Sequence, residues 1–211
     1  MAVVAISSSG GGDEPKGSGD IDKLLAGIPQ NGTTLGEANS KVTLYEFGDL
    51  QCPICEQYSE DATPDIINNI VRPGKAKWNF KQWAILGPDS TLAAKAALAA
   101  AEQNRYWEFI ENFYANQGIE NSGYVTDDFL TEIANDAGVP DIDKWNADRE
   151  SAAIAKQVEQ TDAQASSLGF SGTPSFGVQV GNGDIEPVQT TSSTAAAGEI
   201  AKAIEKAQSG N

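Results

Sequence analysis

The sequence predicts an α/β fold in which a block of helices separates two halves of one mixed sheet. Three observations predict it. Residues 42–47 and 76–84 read as strands with a long helical run between them, the pattern of a parallel β-α-β unit. From Asp89 to about Leu168 every strong periodicity is helical. Residues 175–180 and 185–189 then return as strands, and a final helix follows, giving β-β-α. The 211 residues suffice for one sizeable core with an inserted subdomain.

Taken in order, residues 1–19 read as a flexible N-terminal linker. An apolar stretch, residues 2–6, precedes a Ser/Gly run without any basic segment before it. It reads either as a plain terminus or as the end of a signal or anchor segment that begins upstream of Met1. The domain is expected over residues 20–208, with the helical insertion at about 89–168 and a tail at 209–211. Asp20 is placed to cap a short helix that Gly27 ends. Residues 28–35 predict a short edge strand interrupted at Asn31-Gly32. Strand 42–47 is apolar but carries Glu46. The helix that Pro53 opens should run to about Val71, with Pro64 kinking it or removing one backbone bond. In residues 76–84, Trp78 and Phe80 alternate with Lys77, Asn79 and Lys81, as a half-buried strand requires.

In the insertion, Asp89 or Ser90 should cap an alanine-rich helix. The stripe of Tyr106, Trp107, Phe109, Ile110, Phe113 and Tyr114 has core spacing. Residues 126–137 form another amphipathic helix, and residues 141–168 one or two more, with a break expected at 146–148. Residues 181–184, Gly-Asn-Gly-Asp, join the last two strands as a hairpin, and Pro187 marks the second as an edge strand.

The chemistry centres on Cys52-Pro53-Ile54-Cys55, which holds both cysteines of the chain and follows directly on strand 42–47. Pro53 suits the first helical position. Cys52 then stands at the N-cap, with the N–H groups of Ile54 and Cys55 directed at its sulfur. Those donors and the helix dipole should lower its pKa, and Cys55 lies one turn on. Two Cys and no His fall short of a structural zinc site. A staple closing so small a ring would contribute only about 2 kcal/mol. A structural disulfide and two inert thiols stay open beside a dithiol/disulfide switch.

Thirty acidic residues against fourteen basic ones give a net charge of −16, which repels phosphate backbones and argues against nucleic acid as a partner.

The run Glu46-Phe47-Gly48-Asp49-Leu50-Gln51-Cys52-Pro53-Ile54-Cys55 resembles the active-site strand and helix start of DsbA-like thiol-disulfide oxidoreductases. Gly32-Thr33-Thr34-Leu35-Gly36 is similar to that family's lead-in, and Gly172-Thr173-Pro174 to its cis-proline loop. The resemblance covers about residues 28–208 and implies a thioredoxin-like fold with a helical insertion. It implies that Cys52 is the nucleophile and Cys55 the resolving thiol. Glu46 would be the buried acid that exchanges protons with Cys55. Pro174 would be cis and packed against the pair, with Cys52 partly exposed and Cys55 buried. Pro53, Ile54, Thr173 and Pro174 would contact substrate, the Thr173 backbone pairing with an extended chain.

The implied activity is oxidation of cysteine pairs in unfolded or partly folded exported proteins. No cofactor is expected beyond the redox-active Cys52–Cys55 disulfide. A membrane quinone-linked thiol oxidase would re-oxidise a monomeric enzyme. Its location would be extracytoplasmic (periplasmic, cell-wall or secreted), with anchoring through a segment upstream of Met1 as one form. A reductase or isomerase using the same motif, or a non-catalytic thioredoxin-fold holdase, are the rival readings. One departure matters. The strongly oxidising members carry His between the cysteines, whereas Ile54 supplies no cation here. Glu46, Asp49 and Glu56 would oppose a thiolate, so a less oxidising disulfide is expected.

Overall fold

A computed structural model of the chain describes residues 18–209. The expected linker lies outside the described residues up to residue 17, and the expected tail beyond Ser209. The first helix, α1 (Ser18–Leu25), already includes Ser18 and Gly19. Strands β1 (Gln30–Asn31) and β2 (Thr34–Leu35) follow as a small antiparallel hairpin, where a single interrupted strand was expected. The Asn79 amide holds it to the sheet by donating to the Thr33 and Thr34 hydroxyls.

The central strand β3 (Val42–Gly48) leads into α2 (Pro53–Ile66), which widens into a π turn (Ile67–Val71) before β4 (Lys77–Gln82). The proline ring of Pro64 supplies no N–H to the preceding turn, yet the helix continues past it to Ile66. Strand β4 pairs parallel to β3, with Glu46 opposite Phe80. After the insertion, β5 (Ser175–Val180) pairs antiparallel to β3 from the other side, with Glu46 opposite Phe176. Strand β6 (Glu186–Val188) forms the far edge, which is where Pro187 can be accommodated. The sheet order is β1-β2-β4-β3-β5-β6.

Five helices form the insertion. The first, α3 (Pro88–Ala101), begins on Gly87 and Pro88, so neither Asp89 nor Ser90 caps it. Gly87 has φ +120°, and a Cβ there would stand 2.8 Å from the Asn121 side-chain oxygen. Next come α4 (Tyr106–Ala115) and α5 (Asp127–Asp136), the latter capped by Thr126. The expected break within residues 141–168 falls a few residues later. It separates α6 (Ile142–Arg149) from α7 (Ala152–Ser167), because Ser151 caps the second helix. The last helix, α8 (Ser193–Ser209), packs on α2.

Alternation along β3 makes two cores. The main one joins Leu44, Trp78, Phe80 and Phe176 to α2, α4 and α8, and the aromatic stripe of α4 is buried in it. A small second cluster on the opposite face gathers Phe47, Trp83 and Ala165. Among the described residues no helix is long and apolar enough to cross a membrane.

Candidate active site

Strand β3 ends at Gly48, where a Cβ would stand 2.4 Å from the Phe80 ring, so this position demands glycine. The chain then leaves the sheet as a loop that the helical insertion holds from several sides. The buried Asp49 carboxylate accepts the Gln51 N–H at 2.9 Å, the Ile85 N–H at 2.8 Å and the Leu86 N–H at 3.0 Å. The Tyr114 hydroxyl donates to the Asp49 carbonyl at 3.3 Å. The Gln117 amide donates to the carbonyls of Leu50 (2.7 Å) and Cys52 (3.3 Å). The Gln51 side chain donates to Ser90 at 3.1 Å and accepts from the Asn121 N–H at 3.0 Å. Gln117 was not singled out from sequence, and neither were the contacts that Asp49, Gln51, Ser90 and Tyr114 make here. Their partners are distant in the chain, and no local spacing marks them.

This clamp presents Cys52 at the N-cap of α2, with Pro53 in the first turn. Both cysteines are free thiols, and both are buried, Cys52 to 6 % exposure and Cys55 to 1 %. Cys52 is thus less exposed than expected, because the loop at residues 172–174 closes over it. The Thr173–Pro174 peptide is cis. In the protonated state the Cys52 thiol donates to the Thr173 carbonyl across a long 3.5 Å contact.

The Cys52 pKa is lowered to about 6. The largest cause is the Cys55 thiol, which donates to the Cys52 sulfur. Burial opposes ionisation, and the Thr173 side chain and the N–H groups of Cys55 and Ile54 favour it. The N–H groups make no full capping hydrogen bond to the sulfur, consistent with their smaller part. The helix-start N–H groups do favour the thiolate, as expected, but the Cys55 thiol contributes more. The Asp49 carboxylate is turned to three backbone N–H groups. Cys55 itself is pushed well above its usual pKa, by burial first and then by the bond to Cys52 and the charges of Cys52 and Glu46.

Glu46 is 5 % exposed and lies between Phe80 and Phe176 across the sheet. Tyr58 of α2 stacks on Phe176, and Tyr106 and Tyr114 of α4 contact Phe80, so both helices roof this acid. Burial raises its pKa well above the carboxylate range, and the neighbouring Glu111 adds to the rise. The chemistry available is a dithiol with one easily ionised sulfur and one that holds its proton beside a buried acid.

Around the pair, Pro53 and Ile54 are exposed, Ile54 to 51 %. Ile85 and Ile119 are also exposed. Ile85 donates to Asp49, and Gln117 and Asn121, which flank Ile119, bond to the active-site loop. Ile54 at the start of α2, and Ile85 and Ile119 on two segments bonded to the active-site loop, are thus exposed apolar side chains, of which only Ile54 was expected.

A family model described as Thioredoxin matches residues 29–194. A curated relative, "Probable disulfide bond formation protein D" of Bacillus cereus, is 29 % identical over 146 residues, which are 67 % of each chain. The oxidised crystal structure of BdbD from Bacillus subtilis superposes with a TM-score of 0.71 at 25 % identity, covering 82 % of this chain and 91 % of that one. A thioredoxin-like oxidoreductase from Silicibacter pomeroyi superposes with a TM-score of 0.63 at 27 % identity, covering 87 % and 97 %.

Proposed function

This chain belongs to the thioredoxin family, as a DsbA-like thiol-disulfide oxidoreductase, and we propose that it uses Cys52–Cys55 to oxidise cysteine pairs in exported proteins. The observation that carries the reading is the asymmetry of the two sulfurs. Cys52 ionises near pH 6 while Cys55 keeps its proton.

In the disulfide form, a substrate thiolate attacks the Cys52 sulfur, and the Cys52–Cys55 bond breaks. Cys55 leaves with the electron pair and takes a proton. The second substrate thiolate then attacks the substrate sulfur of the mixed disulfide. The substrate disulfide forms, and Cys52 departs as a thiolate that its surroundings stabilise. Two electrons have moved from substrate to enzyme. During re-oxidation the Cys52 thiolate attacks a partner's disulfide. Cys55 then gives its proton to Glu46 and attacks the Cys52 sulfur, releasing the partner's second thiolate. Glu46 is suited to this because burial raises its affinity for a proton.

Support for the substrate class comes from the exposed Ile54 side chain and the Thr173–Pro174 loop, whose Thr173 carbonyl meets the Cys52 sulfur. An extended, unfolded segment would lay its backbone along Thr173 and its side chains on Pro53, Ile54 and Pro174. A disulfide donor for exported proteins works outside the cytoplasm, where thiols are not held reduced. A membrane quinone-linked thiol oxidase is the class of partner that would accept its electrons, and the enzyme would act as a monomer. No cofactor beyond the cysteine pair is required by these steps. The test is oxidation of a reduced, unfolded protein by the purified oxidised chain. Turnover is expected with the wild-type pair, and Cys55→Ser is expected to accumulate a Cys52-linked mixed disulfide when its Cys52 thiolate is offered a disulfide-bonded substrate; no turnover and no trapped adduct would sink the reading.

A further inference from the structure

Glu46 is buried under α2 and α4, so a proton it takes from Cys55 needs a path out. Ser59 lies one helical turn beyond Cys55 on the same face of α2. Its hydroxyl donates to the Glu111 carboxylate at 2.8 Å. Glu111 stands on α4 one turn before Tyr114, whose hydroxyl reaches the Asp49 carbonyl. With Asp20, Ser59, Glu60, Pro64 and Tyr114, Glu111 lines a cleft of about 340 Å³. Asp20 and Glu60 at its edge are exposed. Glu46 and Glu111 interact electrostatically, with Cys55 beside Glu46 and a surface cleft beside Glu111.

We propose that Glu111 relays protons between Glu46 and this cleft, so that the helical insertion supplies the exit of the proton path. The inference rests on the role assigned above to Glu46. In the step concerned, the Cys55 S–H bond breaks and an O–H bond forms on the Glu46 carboxylate. That proton then passes to the Glu111 carboxylate, restoring Glu46 as a base, and leaves from Glu111 to water or buffer in the cleft. No electrons move in the relay. Glu111 does not touch the sulfurs and acts through Glu46.

The charged and titratable surroundings suit this. Glu46 faces Cys55 from α2 and Tyr106, Glu111 and Tyr114 from α4, with uncharged Phe80 and Phe176 on the flanking strands. Glu111 faces Ser59 and Glu60 from α2 and Tyr114 on its own helix. Asp20 faces it from α1, paired with Lys23. Burial pushes the Glu111 carboxyl up to about 7, with the Ser59 hydroxyl partly offsetting the rise. An acid titrating there exchanges protons readily in both directions at neutral pH.

The test follows release of glutathione from its mixed disulfide with Cys52 by stopped flow across pH 5–9 in dilute buffer. Glu111→Gln is expected to slow release at least fivefold at pH 7. Glu111→Ala is expected to slow it similarly and to recover most of the rate when formate is added. Ser59→Ala, which keeps both acids and guards against misfolding, should move the rate profile to higher pH. If Glu46→Gln slows release while Glu111→Gln and Ser59→Ala behave as wild type, the relay is wrong and the role of Glu46 stands. If Glu46→Gln has no effect, the Glu46 assignment fails and takes the relay with it. Slowing in the Glu111 variants without formate rescue, and with no shift in Ser59→Ala, would mark a merely structural contact and overturn the proposal.

Discussion

The Cys55 thiol is the largest single influence holding the Cys52 sulfur as a thiolate. The second cysteine therefore tunes the first before any disulfide chemistry begins. Cys55→Ala should raise the Cys52 pKa from about 6, whereas Cys55→Ser, which keeps a donor at that place, should raise it less. Thiolate absorbance near 240 nm against pH reads both. Equal titrations in wild type and Cys55→Ala would show that the helix start alone governs Cys52.

Ile54 stands half exposed beside the same sulfur and offers it no charge. Ile54→His should lower the Cys52 pKa and make the disulfide more oxidising, since it stabilises the reduced form. Each tenfold change in the equilibrium with glutathione corresponds to about 30 mV. A more reducing disulfide in this variant would contradict the electrostatic account.

Asp49 gathers three backbone N–H groups from two loops. Asp49→Ala removes their common acceptor in a buried place and should cost roughly 2–4 kcal/mol of stability. Asp49→Asn keeps an acceptor oxygen and should cost less. Urea midpoints at constant slope measure this; an Ala variant as stable as wild type would mean the clamp contributes nothing.

Glu111 also makes a stability prediction. Its carboxyl is raised from 4.5 to about 7 in the folded chain. Between those values the folded protein binds more protons than the unfolded chain, so stability falls as pH rises through that window. Glu111→Gln abolishes the ionisation. Its stability relative to wild type should therefore increase from pH 4.5 to pH 8, by up to ~3 kcal/mol. A difference that stays constant with pH would place the carboxyl near its ordinary value.

Much of the fold was legible because its signals are local. The alternation of Trp78 and Phe80 with lysines, the glycine punctuation and the helix-spaced aromatics of α4 each fix an element without tertiary knowledge. The motif placed Cys52 at a helix start for the same reason. What stayed hidden depends on long-range assembly. Gln117 reaches back 65 residues to the Cys52 carbonyl, and Glu111 reaches back 52 to Ser59, with no pattern in either neighbourhood. The burial of Cys52 likewise depends on where residues 172–174 fall, some 120 residues later in the chain, where the Thr173 carbonyl meets its sulfur. The cap of α3 was misread because Asp89 and Ser90 are good capping residues that here lie inside the helix, behind Gly87 and Pro88.

The reduction potential of Cys52–Cys55 tests most directly whether Cys52 is the stabilised thiolate of an oxidising pair. Equilibrating the purified chain in glutathione buffers and trapping free thiols gives the value. A potential clearly less negative than the roughly −270 mV of a thioredoxin-type reductant is expected. A potential at or below that value would contradict the oxidising direction and make this chain a reductant instead.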